Sequence, residues 1–183
     1  EKEMREVKEL LAGTHLLTLL GSGGSGKTRL ALQVAADAID HYNNGVWFVE
    51  LEQLSDSILL PQTINQALGV QEESQKSPED TLCAYVKDKE MLIILDNCEH
   101  LVEGVAEIAA LLLNACPALQ ILATSRPPGL YRGAHSPHSG WLGWLARCPG
   151  WTAGCAGFPT RFGNRSDRWH IAGWPAGRHW PRP

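Results

Sequence analysis

Residues 21–28 read Gly-Ser-Gly-Gly-Ser-Gly-Lys-Thr, and no other segment of the 183-residue chain says more about its fold. A glycine, four residues and then Gly-Lys-Thr is the pattern of a loop that binds phosphate between a strand and a helix. The context fits this pattern. Residues 15–20 are an apolar run typical of a buried strand, and apolar residues recur at helical spacing from Lys27 onward. A glycine-rich turn that matches by chance would not explain this context.

Each position in the loop has a physical reason. Glycines allow the backbone to wrap around a phosphate with its N–H groups pointing inward. The helix that follows directs the positive end of its dipole at the anion. Lys27 places a charge near the β- and γ-phosphates, and the Thr28 hydroxyl is suited to coordinate Mg²⁺. We therefore predict that the chain binds a nucleoside triphosphate, in the first instance ATP, together with magnesium.

Strand and helix signals alternate through residues 1–126. Three further apolar runs predict strands, at residues 46–51, 91–95 and 119–123. Helical periodicity or a helix-start signal predicts helices at residues 1–12, 27–39, 58–68, 101–116 and from Ser77 onward. Apolar strands that each lead to a helix are typical of a parallel sheet covered on both faces. We predict a three-layer α/β P-loop fold with four parallel strands. We expect the sheet to be incomplete at its C-terminal side, which would leave the first strand as an unpaired edge.

A carboxylate directly follows the third of these strands. Asp96 ends the apolar run at residues 91–95, and a carboxylate at such a position beside a phosphate loop provides a ligand for Mg²⁺. Alternatively, it caps the next loop. ATPases of this kind often carry a second carboxylate one residue later to orient the attacking water. This chain has Asn97, whose amide can hold a water but cannot accept its proton. Glu99 is a candidate substitute, although an acid just before a helix also has a structural explanation.

Thr124-Ser125-Arg126 stands at the end of the fourth strand. In a parallel sheet, ligands bind outside the carboxyl ends of the strands. Arg126 is therefore a candidate to contact the γ-phosphate, and the alternative is a surface arginine in a loop.

Charge and composition exclude several classes of protein. Residues 1–126 carry 9 basic and 19 acidic residues, a net charge of −10, which argues against a nucleic-acid surface in this part. No stretch of 18 or more residues is apolar, so we expect no membrane span. The five cysteines lack the spacing of a zinc or redox site, which fits a reducing cytoplasm.

The character of the sequence changes after Arg126. Residues 127–183 hold six of the seven tryptophans and eight of the eleven prolines, but no Val, Glu, Lys, Gln or Met. Disordered segments avoid aromatic residues, and a folded subdomain without valine is an unusual composition. Arg, Gly, Pro, Ala and Trp dominate when GC-rich DNA is translated out of frame. We therefore predict two segments: a nucleotide-binding domain at residues 1–126, and an out-of-frame tail at residues 127–183 that is not an evolved domain.

The motifs and their order resemble the nucleotide-binding domain of bacterial STAND-type signalling ATPases. These are related to the NB-ARC domain and often belong to LuxR-type and AfsR/SARP-type transcriptional regulators. The similarity rests on Gly-Ser-Gly-Gly-Ser-Gly-Lys-Thr-Arg-Leu-Ala from residue 21, Gly-Val-Trp-Phe-Val-Glu-Leu from 45, Leu-Asp-Asn-Cys-Glu-His-Leu from 95 and Leu-Ala-Thr-Ser-Arg from 122. The similarity covers residues 1–126, and the clamping, sensor and DNA-binding domains of the family are not recognisable after them.

The resemblance implies a slow switch that holds ADP when off, and holds ATP and self-associates when on. It places Lys27 on the phosphates, the magnesium ligands at Thr28 and Asp96 and the γ-phosphate sensor at Arg126. Together with Glu99, singled out above from its position alone, Asp96 and Arg126 are the candidate catalytic residues. The predicted nucleotide contacts are Gly21, Ser22, Gly23, Gly24, Ser25, Gly26, Lys27, Thr28 and Arg29. DNA would be reached only through the missing domains. The alternative is a stand-alone P-loop enzyme such as a small-molecule kinase, which should carry an arginine-bearing lid and an acceptor pocket.

Overall fold

The computed structural model describes residues 2–71 and 75–126 and the backbone of residues 170–175. The predicted out-of-frame tail at residues 127–183 therefore lies outside the described residues, apart from that short backbone segment. Within the described part of the chain, no helix is long and apolar enough to cross a membrane.

Four parallel strands form the centre of the molecule: β1 (Thr14–Leu20), β2 (Val46–Glu50), β3 (Leu92–Asp96) and β4 (Gln120–Ser125). Their order across the sheet is β2-β3-β4-β1, so β4 lies between β1 and β3. Because the four strands run in one direction, their carboxyl ends meet at the same edge of the sheet. The phosphate loop and Arg126 follow these ends, and Asp96 is the last residue of β3. The predicted parallel α/β fold is confirmed.

Helices cover both faces of the sheet. Two helices pack on one face, α1 (Lys2–Ala12) and α2 (Lys27–Ala38). Three helices pack on the other face, α3 (Leu60–Ala67), α4 (Pro78–Val86) and α5 (Val102–Ala115). Strand β3 shows the reason: Leu92 and Ile94 join the core beneath α1 and α2, whereas Ile93 and Leu95 join the core beneath the other three helices. Successive side chains of a strand point to opposite faces, so an unbroken apolar run is buried on both.

The helix predicted over residues 58–68 is divided in the structure. Ser57–Leu59 form a single 3₁₀ turn, and α3 begins at Leu60 with Pro61 in its first turn, where the missing N–H costs nothing. The start predicted at Ser77 is confirmed, since the Ser77 hydroxyl accepts a hydrogen bond of 3.0 Å from the backbone N–H of Asp80.

The edge of β1 differs from the sequence-based expectation. The segment β5 (His170–Pro175) pairs antiparallel with β1, from Thr14 opposite Pro175 to Leu20 opposite His170. The expectation of an unpaired edge at β1 is therefore wrong for this structure. The expectation rested on the composition and periodicity of residues 127–183. Backbone N–H and C=O groups can complete a β-ladder whatever the composition and periodicity of the side chains.

Candidate nucleotide-binding site

The loop between β1 and α2 takes the conformation that its glycines permit. Gly24 has φ of 73° and Gly26 has φ of 90°, a left-handed region that other residues seldom adopt. Gly26 is the N-cap of α2, and its carbonyl accepts the first helical hydrogen bond at 2.9 Å from Leu30. The Gly21 N–H donates to the Ser125 carbonyl at 3.3 Å, which ties the start of the loop to the end of β4.

Lys27 points back into this loop. Its Nζ atom donates to the carbonyl oxygens of Gly21 at 2.8 Å and Ser22 at 3.1 Å. Burial lowers the pKa of Lys27, and the nearby charge of Arg126 lowers it too, while the carboxylates of Glu99 and Asp96 act in the opposite direction. The ammonium group therefore lies among the other charged groups of the site, where an arriving phosphate would be stabilised.

The Asp96 carboxylate is held by hydroxyl groups from two other elements. The Thr28 Oγ1 atom, in the first turn of α2, lies 2.9 Å from each carboxylate oxygen. Thr124, near the end of β4, donates to Asp96 Oδ1 at 2.6 Å, and its own oxygen accepts the backbone N–H of Asn97 at 3.0 Å. Asp96 is only 6% exposed, so these bonds hold the carboxylate firmly at the end of β3.

A tight turn after β3 places Glu99. Asn97 has φ of 67°, a left-handed conformation that asparagine tolerates better than most residues. The 3₁₀ turn Cys98–His100 follows. It is anchored by the buried Cys98 thiol, which donates to the Leu95 carbonyl at 3.3 Å, and by His100 Nε2, which lies 2.7 Å from the Leu54 carbonyl. Because a carbonyl only accepts, His100 carries a hydrogen on Nε2 here.

Glu99 and Arg126 form an ion pair across the top of β4. Arg126 Nε lies 2.8 Å from Glu99 Oε1, and the two side chains are 53% and 11% exposed. With its amide nitrogen facing the carboxylate, Asn97 donates to the same group at 2.8 and 3.2 Å. The Arg126 guanidinium also lies against the phosphate loop, since its Cζ would be 3.4 Å from a Cβ placed on Gly23.

A cavity of about 590 Å³ opens from the loop along the exposed side of α2. Its lining includes the left-handed glycines and continues past Lys27 and Thr28 to Arg29, Leu32 and Gln33. Cavities of roughly 300–1,000 Å³ are the usual size for small-molecule and cofactor sites.

The structure brings most of the predicted residues together. Lys27, Thr28, Asp96, Glu99 and Arg126 lie in one charged cluster above β1, β3 and β4. Arg29 lines the cavity together with Lys27 and Thr28. Sequence reasoning assigned no role to Thr124, although a polar residue at the end of an apolar strand was a usable signal.

This arrangement defines the class of protein to which the chain belongs. A parallel three-layer sheet, a glycine-rich phosphate loop at the start of α2 and a buried Asp at the end of β3 are the features of a P-loop nucleotide-binding domain. Comparison with known families narrows the class. The family model described as the NB-ARC domain matches residues 1–138, and the chain belongs to this family. The match continues past Arg126, so the boundary at that residue stays a prediction.

The relatives are mycobacterial. The chain is 42% identical over 122 residues to the "Putative HTH-type transcriptional regulator" proteins of Mycobacterium tuberculosis and Mycobacterium bovis, a match that covers 67% of this chain and 14% of the relative. It is 38% identical over 123 residues to an uncharacterized protein of Mycobacterium tuberculosis, of which the match covers 31%. The chain thus spans a small part of the length of these relatives.

A solved structure shares the fold. The Aeropyrum pernix ORC2 protein, determined as ADPNP-ADP complexes, superposes with a TM-score of 0.50 at 18% identity, over 68% of this chain and 40% of that one. At this identity the likeness supports the α/β architecture alone.

Proposed function

We propose that this chain is the ATP/ADP-binding switch module of a cytoplasmic bacterial signalling or transcriptional regulator, with a capacity for slow, magnesium-dependent hydrolysis. One observation carries the proposal: in an NB-ARC domain, the Thr28 hydroxyl lies 2.9 Å from a buried Asp96 carboxylate at the mouth of a phosphate loop. A hydroxyl and a carboxylate held together at that place are the two protein ligands that a nucleotide-bound Mg²⁺ needs.

Phosphate binding would rearrange Lys27. Its ammonium group now donates to two carbonyl oxygens of its own loop, contacts that a phosphate can replace with stronger, charge-assisted ones. The backbone N–H groups of Gly24 and Gly26, just before α2, would supply further donors, and the Ser25 N–H, which now donates to the Ser22 carbonyl at 3.2 Å, could be redirected to the phosphate. The nucleoside would extend into the cavity beside Arg29.

The residues that surround Asp96 fit a magnesium ion. The carboxylate already faces a hydroxyl, and Thr124 donates to one of its oxygens from the other side, so a cation would meet an oriented anion. Bound magnesium would neutralise charge on the phosphates. Asp96 and Thr28 would hold it.

Slow turnover follows from the residue after Asp96. Asn97 cannot accept a proton from an attacking water. Glu99 is the proposed carboxylate for that task, and Arg126 is the proposed γ-phosphate sensor. In the structure these two side chains are paired with each other at 2.8 Å.

The regulatory role draws on the relatives. Proteins 42% identical to this chain carry the name of HTH-type transcriptional regulators, and this chain corresponds to 14% of their length. DNA contact would then belong to other domains, in agreement with the net charge of −10 over residues 1–126. Self-association in the ATP state is part of the same proposal.

The test is binding of a fluorescent ATP analogue with Mg²⁺ by the full chain. Lys27→Ala should weaken binding about tenfold or more, because it removes a charge-assisted contact worth about 1.5–3 kcal/mol. Lys87→Ala is the matched control, since Lys87 is an exposed residue at the C-cap of α4, far along the chain from the loop. No binding by the unsubstituted chain, or equal binding by both variants, would contradict the proposal.

A further inference from the structure

Glu99 lies where a γ-phosphate would compete with it. Its carboxylate accepts from Arg126 Nε at 2.8 Å and from the Asn97 amide at 2.8 Å, and it is mostly shielded from water. It also acts on Lys27: among the charged neighbours of that ammonium group, Glu99 has the largest effect on its pKa. The carboxylate is therefore paired with one of the two cations that a terminal phosphate would attract and acts electrostatically on the other.

A γ-phosphate would compete with Glu99 for Arg126. The Arg126 guanidinium lies over Gly23 of the phosphate loop while its Nε is bound to Glu99, so this contact compensates part of its charge and fixes its direction. A nucleoside diphosphate lacks the phosphate that would compete for this arginine. A third phosphate placed beside Lys27 brings negative charge toward Glu99 and offers Arg126 an alternative, bidentate partner.

We propose that Glu99 sets the preference of the site between nucleoside triphosphate and diphosphate, by competing with the γ-phosphate for Arg126. This inference rests on the proposed nucleotide-binding function. The ion pair is a latch defined by two residues: it is closed when the site holds a diphosphate, and a triphosphate weakens it by drawing the guanidinium of Arg126 toward itself. Asn97 supports the closed state through its bond to the same carboxylate.

The experiment compares affinities of the full chain for fluorescent ATP and ADP analogues with Mg²⁺. Glu99→Gln keeps the shape of the side chain but removes the charge. It should raise the ATP-to-ADP affinity ratio about five- to twentyfold, with ADP affinity little changed, as expected for the loss of one close charge pair. Glu103→Gln makes the same charge change on an exposed position in the first turn of α5 and should leave the ratio unchanged.

A second variant separates the latch from a direct effect of Glu99 on the phosphate. Arg126→Gln should lower the ATP-to-ADP ratio, and in its background Glu99→Gln should no longer raise it, because the residue on which Glu99 acts is gone. If the ratio still rises in that background, or if Glu99→Gln alone leaves it unchanged, the inference is wrong while the proposed function stands. If the unsubstituted chain binds neither nucleotide, both fail.

Discussion

Asp96 illustrates how a single carboxylate can be prepared for a cation by its neighbours. Hydroxyl groups approach it from α2 and β4, and the backbone N–H of Asn97 fixes the Thr124 hydroxyl in turn. These contacts fix the direction of the carboxylate, which is the usual role of groups that surround a ligand residue.

We expect Asp96→Asn to uncouple nucleotide binding from magnesium. The amide keeps the size of the carboxylate but offers no charge to the cation, so Mg²⁺ should no longer strengthen binding of an ATP analogue by more than about twofold. The measurement is the affinity with Mg²⁺ and with excess EDTA, for the variant and for Asp88→Asn, an exposed position just after α4. An undiminished magnesium effect in Asp96→Asn would place the cation elsewhere.

At the scale of elements, unbroken apolar runs predicted the strands of residues 1–126, and helical spacing or a helix-start signal predicted the helices. The carboxylate at the end of β3 and the arginine after β4 could be singled out because a parallel sheet collects such ends at one edge. The pairing of Glu99 with Arg126 could not be predicted. It depends on β4 lying directly beside β3, and the order of strands in a sheet is not encoded in the spacing of residues along the chain.

Gly104 shows a tertiary contact that overrides helix propensity. It lies in α5, where alanine would be favoured over glycine by about 1 kcal/mol. A Cβ added there would lie 2.4 Å from the Cβ of Ser57, which belongs to the 3₁₀ turn before α3. That distance is far inside van der Waals contact, and overpacking typically costs about 1–3 kcal/mol.

We therefore expect Gly104→Ala to lower the free energy of unfolding by up to about 2 kcal/mol despite the better helix former. Urea unfolding measures it, and Ser57→Gly in the same chain should restore most of the loss by removing the opposing Cβ. A stabilised single variant would show that the turn moves aside without cost.

At the scale of the whole molecule, the nucleotide site and the outer edge of β1 draw on different parts of the chain. The described site residues all come from residues 21–126, while the edge of β1 is covered by β5 from the basic, tryptophan-rich segment. A site whose described residues all lie outside that segment should survive its loss. The edge of β1, which is paired with β5 from that segment, should become exposed on its loss. An uncovered strand presents unpaired N–H and C=O groups to other chains.

Truncation after Arg126 should therefore separate binding from solubility. We expect affinity for the ATP analogue to stay within about twofold, since the phosphate and magnesium ligands remain, while the truncated chain self-associates with increasing concentration through β1. Titration and analytical ultracentrifugation measure the two effects.

Ala172→Pro with Gly173→Pro in the full chain is the matched variant. Neighbouring N–H groups of a strand point to opposite sides, so one of the two prolines removes a bond to β1. If this variant stays monomeric, β5 does not protect the edge. If the truncated chain is folded but no longer binds nucleotide, residues beyond Arg126 belong to the site and the tail is not dispensable.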